Sequence, residues 1–565
     1  MKSIKKLSTQ AILVVLVFSG LCAFTQDNNT TDIEKKIDEI FKNYNDINKP
    51  GAAVAVVSKG EVVFKKGYGS AQLEYDIPVT PSTVFHIASV SKQFTVYSIL
   101  LLEQQGKLSF DDDIRKHIPE VPDFGTTITL RHLASHTSGM RDQWSLLNLA
   151  GWRWDDVITK EHIMKMVKKQ KELNFQPGEE YVYCNTGFTL LAEVVARISG
   201  KSFAEFTHEN IFAPLKMNKT LFYDDHEKIV KDRAYSYYNQ GGNYKKSVLS
   251  YANVGATSLF TTVEDLALWS MHLNRPKDDI KDIVSKMNTL AVLNNGSEFG
   301  GAYGQFVNDY KGLKQIQHGG ADAGYRSYLG RFPEQDFAVM VFSNLAQANP
   351  TGLALQVADL FLEDQFEVQN SSDQNNQNQK DDAFIVLSNK ELKAFEGSYW
   401  NEPGSYARRI YVKNDTLMYN RGASNESKLA PVASNKFKML NVGVDLYVDF
   451  TGSDNNKIMT VVINNEDPII SEEFTPPNYN ATSLKEFAGS YYSEELSTTY
   501  DFIVKDDQLV GTHSRASDFG LSTAKPDVFI IGGNIIKFLR DKDKSISGLT
   551  VTTGRVRNLF FERID

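Results

Sequence analysis

A chain of 565 residues, 41% hydrophobic and 23% charged with a formal net charge of −9, has room for several domains of about 150 residues each. Mildly acidic and without a basic cluster, it is poorly suited to a nucleic-acid backbone. Its two cysteines, Cys22 and Cys184, provide no disulfide framework, so stability is expected from core size and packing.

Lys2, Lys5 and Lys6 precede the apolar run AILVVLVF and then small and turn-forming residues before LCAFTQ, the layout of an export signal over residues 1–25. Its apolar core is shorter than the roughly 20 residues a spanning helix needs, and no later segment comes close. The expectation is a periplasmic or secreted protein without an integral membrane span. Cys22 leaves a lipid anchor open as an alternative, against which Leu21 stands where bacterial lipoprotein signals usually carry a small residue.

Residues 26–363 form a mixed region. GAAVAVVSKGEVVFKKGYG predicts a hairpin turning at Ser58 to Gly60. HIASVSKQF follows, in which Ser89 falls at an expected helix start and Lys92 lies three positions on, on the same face. The helix is expected to run from Phe94 to Gln105 and to close at Gly106. A serine hydroxyl is a weak nucleophile until a base takes its proton, and a lysine one turn away can do so if it is held neutral. The bland alternative is a polar helix N-terminus with a solvated lysine; Ser3/Lys6 and Ser522/Lys525 fit S-x-x-K as well.

Further along come QPGEEYVYCNTGF, with Tyr183 and Asn185 two apart, and IQHGGADAG, with His318, Gly319, Gly320 and Ala321 in succession. GATSLFTTVEDLALWSMHL predicts a capped helix, and YRSYLGRF and DFAVMVFSN predict two strands. Strands at both ends with helices between them predict an α+β fold, an antiparallel sheet covered by helices.

Residues 364–382 read as a Gln/Asn-rich linker, since QNSSDQNNQNQKDD contains no apolar residue able to help bury a core. Beyond it the chain turns β-rich and repeats itself. LKAFEGSYW from Leu392 matches LKEFAGSYY from Leu484, and Phe437 matches Phe529, each 92 positions apart. Two long copies predict two small β domains, 383–475 and 481–565, rather than a solenoid. Barrels are favoured because closing a sheet removes its exposed edges.

S-x-x-K, then Y-x-N about ninety residues on, then H-x-G further downstream, resembles the motif order of the serine β-lactamase and penicillin-binding family. The branch resembled is that of class C β-lactamases, D-Ala-D-Ala carboxypeptidases, D-aminopeptidases and esterases. TLRHLASHTSGM and VMVFSN look familial too, and the likeness runs from about Ile33 to Leu362. It implies a serine hydrolase acting through an acyl-enzyme on an amide or ester, without cofactor or metal. Ser89 would be the nucleophile, Lys92 and Tyr183 its proton-relay groups, and Asn185 a substrate ligand that orients Lys92. The N–H groups of Ser89 and Ala321 would form the oxyanion hole, and His318, Gly319 and Gly320 would line the substrate strand. The order of domains is similar to that of D-stereospecific aminopeptidases. Implied partners are small-molecule, peptide or acylated-glycan substrates, with oligomeric state open.

His318 departs from the lysine of β-lactamases. A permanent cation suits the carboxylate of a β-lactam or a C-terminal D-alanine, whereas imidazole is mostly neutral near pH 7. The reading therefore stays open between D-peptides, β-lactams and esters, with a carboxylesterase or acyltransferase as one alternative and a noncatalytic receptor for cell-wall fragments as another. Arg326 is either a compensating charge or an ordinary surface arginine. His132 and His136 lack a third ligand and read as structural, and Cys184 reads as a small packed residue. Trp152 and Trp154 form either an apolar patch or part of a substrate wall.

Overall fold

A computed structural model describes residues 32–366 and 384–565, apart from 403, 405, 423–424, 441, 443–444, 454–455 and 464–466. The expected signal at 1–25, Cys22 and nearly all of the expected linker lie outside the described residues. Among the described residues, no helix is long and apolar enough to cross a membrane. The chain divides into two compact units, one made of Met1–Gly139, Trp154–Val167 and Gln176–Glu367, the other of Met140–Arg153, Lys168–Phe175 and Val368–Asp565.

The first unit is built on β1 (Ala52–Ser58), β2 (Glu61–Tyr68), α1 (Lys92–Gln104), α2 (Asn185–Ser199), α3 (Val263–Asn274), β3 (Phe306–Tyr310), β4 (Leu313–Asp322), β5 (Tyr325–Phe332), β6 (Phe337–Ser343) and α4 (Pro350–Leu362). The six strands form one antiparallel sheet in the order β3-β4-β5-β6-β1-β2. The expected hairpin is present: β1 and β2 turn on Lys59 and Gly60, at φ of 52° and 79°, the left-handed pair that a two-residue hairpin requires. The sheet's central strands are Val/Ala-rich because both faces are covered. Val54, Val56, Val339 and Val341 pack with Ile37 from the helix at 32–40, with Phe41 just after it, and with Val357 and Ala358 from α4, while α3 packs on β1 and β6. Burying each such valine is worth about 1.5–3 kcal/mol relative to exposure.

The helices set the serine and lysine of the S-x-x-K segment at a defined depth. α1 is anchored by Phe94, which stacks on Trp269 of α3 with ring centroids 4.3 Å apart, and by Gln93, which accepts a hydrogen bond from Trp269 Nε1 at 3.2 Å. The sequence places Ser89 at a helix start; in the structure the α-helix begins only at Lys92, and Ser89 lies in a preceding 3₁₀ turn, Ala88–Ser91. The tighter turn follows from Ala88, which holds φ at +48°, a left-handed conformation that cannot continue an α-helix. Gly106, at φ of +69°, follows the helix end as expected.

The second unit contains the two barrel-shaped sheets. The first is a closed barrel of eight strands from Gly397–Asn401 to Ile469–Phe474, whose first and last strands pair Ser398 with Phe474. The second is nearly closed: nine strands run from Gly489–Ser493 to Val556–Arg563, and its edge strands Ala516–Gly520 and Ser522–Lys525 are joined by Leu521 alone. The repeat is visible in the strands, since Gly397, Tyr406, Thr416 and Lys436 begin strands and so do the residues 92 positions later, Gly489, Thr498, Gln508 and Val528. Phe437 and Phe529 are both fully buried, and the turns at Asn414-Asp415 and Asp506-Asp507 all take positive φ.

The segments Met140–Arg153 and Lys168–Phe175 precede the linker in sequence yet belong to this second unit. The short helix Gln143–Leu149 is capped by Asp142, whose carboxylate accepts from Trp144 and Ser145 N–H groups. Tyr500 donates to the Leu149 carbonyl at 2.9 Å, and Arg515 lies over the Trp152 ring. Trp154, in the first unit, is 52% exposed.

Candidate active site

The S-x-x-K, Y-x-N and H-x-G residues, far apart in sequence, come together in the first unit. Lys92 is fully buried. Its Nζ lies 3.2 Å from Ser89 Oγ, 2.9 Å from Asn185 Oδ1 and 2.7 Å from the Ala256 carbonyl oxygen. These three oxygens fix Nζ against the serine. Ser89 itself is only part-buried, so a substrate can reach it. Lys92 Nζ also lies over the rings of Tyr183 and Phe188, 4.9 and 5.3 Å from their centroids.

The turn that carries Ser89 is held from several sides. Ser91 Oγ donates to the Ala88 carbonyl, Ala88 N–H donates to His86 Nδ1 at 3.2 Å, and Ser327 Oγ donates to the Ile87 carbonyl at 2.7 Å. His86 is buried, and burial with Arg233 nearby lowers its pKa to about 3, so the ring is a neutral part of the scaffold. The strain at Ala88 persists because these contacts over-determine it.

Tyr183 is part-buried and stacks on His136 at 4.1 Å between ring centroids. His136 in turn accepts the Cys184 N–H at Nδ1, 3.0 Å away, which fixes the backbone between Tyr183 and Asn185. This positioning contact was not legible in the sequence, although His136 stands in a segment that looks familial. His132 Nδ1 accepts from the Thr129 N–H in a capping box. Cys184 is buried and forms no disulfide.

β4 supplies the opposite wall. His318 is buried; desolvation and the charge of Lys92 push its pKa down to about 3, so it presents a neutral imidazole where β-lactamases carry a cation. Phe306 packs 5.3 Å from its ring. Gly320 is required by a close approach, because a Cβ there would lie 2.3 Å from both the Ile87 carbonyl oxygen and Ser327 Oγ. That approach brings β4 against the Ser89 turn. Gly319 is less confined, its nearest neighbour lying 3.8 Å from a built Cβ, and Ala321 is exposed. Gly320→Ala is accordingly expected to lower kcat/KM by about 10²-fold or more through displacement of β4, whereas Gly319→Ala stays within about threefold; steady-state kinetics on the two variants check this.

Arg326 is not free in the cleft. Its Nη1 donates to the carbonyls of Ala323 and Tyr325 at 3.1 and 2.7 Å, which holds it on the β4–β5 turn. Sequence reading passed over Asp322, Thr257 and Ala256. The available signals were period two along β4, which puts Asp322 on the face of His318 and Gly320, and the GATS run, which includes Ala256 and Thr257. Among the described residues there is no group of three or more His, Cys, Asp or Glu able to hold a metal ion.

Comparison with known proteins agrees with this geometry. "Protein flp" of Staphylococcus aureus (strain MRSA252) is 28% identical over 330 residues, 56% of this chain and 64% of its own length. A D-aminopeptidase of Gluconobacter oxydans (strain 621H) is 28% identical over 297 residues, 52% of this chain and 56% of its own. The chain thus spans less than two thirds of either relative. Among solved structures, the octameric penicillin-binding protein homologue from Pyrococcus abyssi aligns with a TM-score of 0.54 at 25% identity, covering 78% of this chain and 99% of that one. The profile of the family described as beta-lactamase matches residues 37–361, the stretch that carries Ser89, Lys92, Tyr183, Asn185 and His318, and the chain belongs to that family.

Proposed function

We propose that the protein is an exported serine hydrolase that cleaves an amide or ester through an acyl-enzyme on Ser89. The observation that carries this is Lys92 Nζ, buried and 3.2 Å from Ser89 Oγ, with Asn185 Oδ1 and the Ala256 carbonyl as its other acceptors. In the proposed reaction Ser89 Oγ attacks the carbonyl carbon as its proton passes to the Lys92–Tyr183 pair, which holds one proton fewer than an ammonium plus a phenol and so has a base to offer. The oxyanion is received by the N–H groups of Ser89 and Ala321, a device worth several kcal/mol to the barrier. The leaving amine or alcohol takes the proton back, and water, deprotonated by the same pair, releases the acid and regenerates Ser89.

The substrate class favoured is a D-peptide or D-amino-acid amide. A neutral His318 offers no fixed charge to a substrate carboxylate, which disfavours a β-lactam and equally admits an uncharged ester; a carboxylesterase or acyltransferase is therefore the second reading. A periplasmic or secreted location and two barrels that act as separate domains, 383–475 and 481–565, complete the proposal.

Intact mass spectrometry after incubation with a fluorophosphonate and, separately, a penicillin tests it. A fluorophosphonate adduct that disappears in Ser89→Ala is the expected result, with slow or absent penicillin labelling. No adduct with either reagent would remove the hydrolase reading and leave a receptor.

A further inference from the structure

Asp322 ends β4 on the face that carries His318 and Gly320. One carboxylate oxygen, Oδ2, accepts a hydrogen bond from Thr257 Oγ1, and Thr257 directly follows Ala256, whose carbonyl binds Lys92. Asp322 is therefore tied to the same loop that holds the lysine. It is part-buried, and among the described residues no donor other than Thr257 reaches its carboxylate. A part-buried carboxylate with one oxygen not engaged by the protein, tied to the loop that holds Lys92, is open to a charged donor from a ligand.

The surrounding charges favour a cation there. Lys92 and Arg326 are the positive neighbours of Asp322, but Lys92 directs its protons to Ser89, Asn185 and Ala256, and Arg326 donates to the β4–β5 turn. Tyr251, buried close by, feels both Asp322 and Asp155, so a second carboxylate adds to the negative field. His318 and His86 are both neutral above pH 4.

We propose that Asp322 is a specificity-determining residue that receives the ammonium group of a substrate with a free amino group beside the scissile carbonyl. The protein would then take unblocked amino-acid amides and peptides from their amino end, and discriminate against acylated ones. This rests on the acyl-enzyme reading above and narrows its substrate class.

The test is a binding measurement that needs no turnover. D-alaninamide and N-acetyl-D-alaninamide are titrated calorimetrically into Ser89→Ala and into Ser89→Ala/Asp322→Asn. Loss of a charge-assisted hydrogen bond weakens the free amine by about 10- to 100-fold, while the acetylated ligand changes by less than about threefold. Burial raises the Asp322 pKa to about 6; the carboxylate ionises as pH rises through that value, so amine binding strengthens there and weakens again above about pH 8 as the amine itself loses its proton. The lower limb vanishes in the Asp322→Asn background. Equal weakening of both ligands, or failure of the amine to bind Ser89→Ala, overturns the proposal. Failure of Ser89 to take a fluorophosphonate overturns the acyl-enzyme reading and leaves the binding result standing by itself.

Discussion

Lys92→Met is expected to lower kcat/KM on an amide substrate by about 10³-fold or more, with a melting temperature within a few degrees of the unaltered protein. The activity loss follows from position. Lys92 Nζ is the group that touches Ser89 Oγ at 3.2 Å, and positioned proton transfer typically contributes 10²–10⁴-fold. The small change in stability follows from two opposing terms. Removing a fully buried ammonium relieves its desolvation, whereas Asn185 Oδ1 and the Ala256 carbonyl lose a donor, at about 1–3 kcal/mol for each group left unsatisfied. Methionine keeps an unbranched stem of similar length in a site lined by the Phe188 and Tyr183 rings. Fluorophosphonate labelling should slow in parallel with turnover. A variant that labels at the normal rate would show that the base is another group.

Glu495→Ala should destabilise the second unit by about 3–5 kcal/mol, the usual cost of stranding one member of a buried ion pair. Arg141 is fully buried, and its Nη1 donates to both oxygens of Glu495 at 2.7 and 2.6 Å, while Nη2 donates to the Arg557 carbonyl at 2.8 Å. Glu495 is its close carboxylate partner; Glu172 lies farther off at 3.8 Å and is itself 67% exposed. At roughly 2–4 °C per kcal/mol for a unit of this size, the melting transition should fall by about 6–20 °C. Arg141→Met/Glu495→Leu removes both charges together and should recover most of the loss. If the double variant is as unstable as the single one, packing rather than the unpaired charge is responsible.

Arg141 also bears on a truncation that the polar linker invites. The linker composition suggests that a chain ending near Leu362 folds alone, yet such a chain would retain Arg141 and lose Glu495 and Arg557. Sequence composition identifies where a chain is cheap to cut. It is silent on which early segments have been recruited by late ones, because that recruitment is made by a few long-range contacts without local periodicity.

The fold class, the hairpin at Lys59-Gly60 and the two barrel-shaped sheets were legible from the amino-acid sequence, and the grouping of Ser89, Lys92, Tyr183, Asn185 and His318 was implied by the family resemblance of their motifs. Each leaves a local trace: alternation of apolar residues, a left-handed turn pair, a 92-residue repeat, or a small residue set in a fixed order. The 3₁₀ turn at Ser89, the neutrality of His318, the stack of His136 on Tyr183 and the placement of Asp322 beside the Lys92 loop were decided only by tertiary structure. Strain, desolvation and the distance between charges depend on which distant segments close around a residue, and no stretch of chain encodes its own dielectric surroundings.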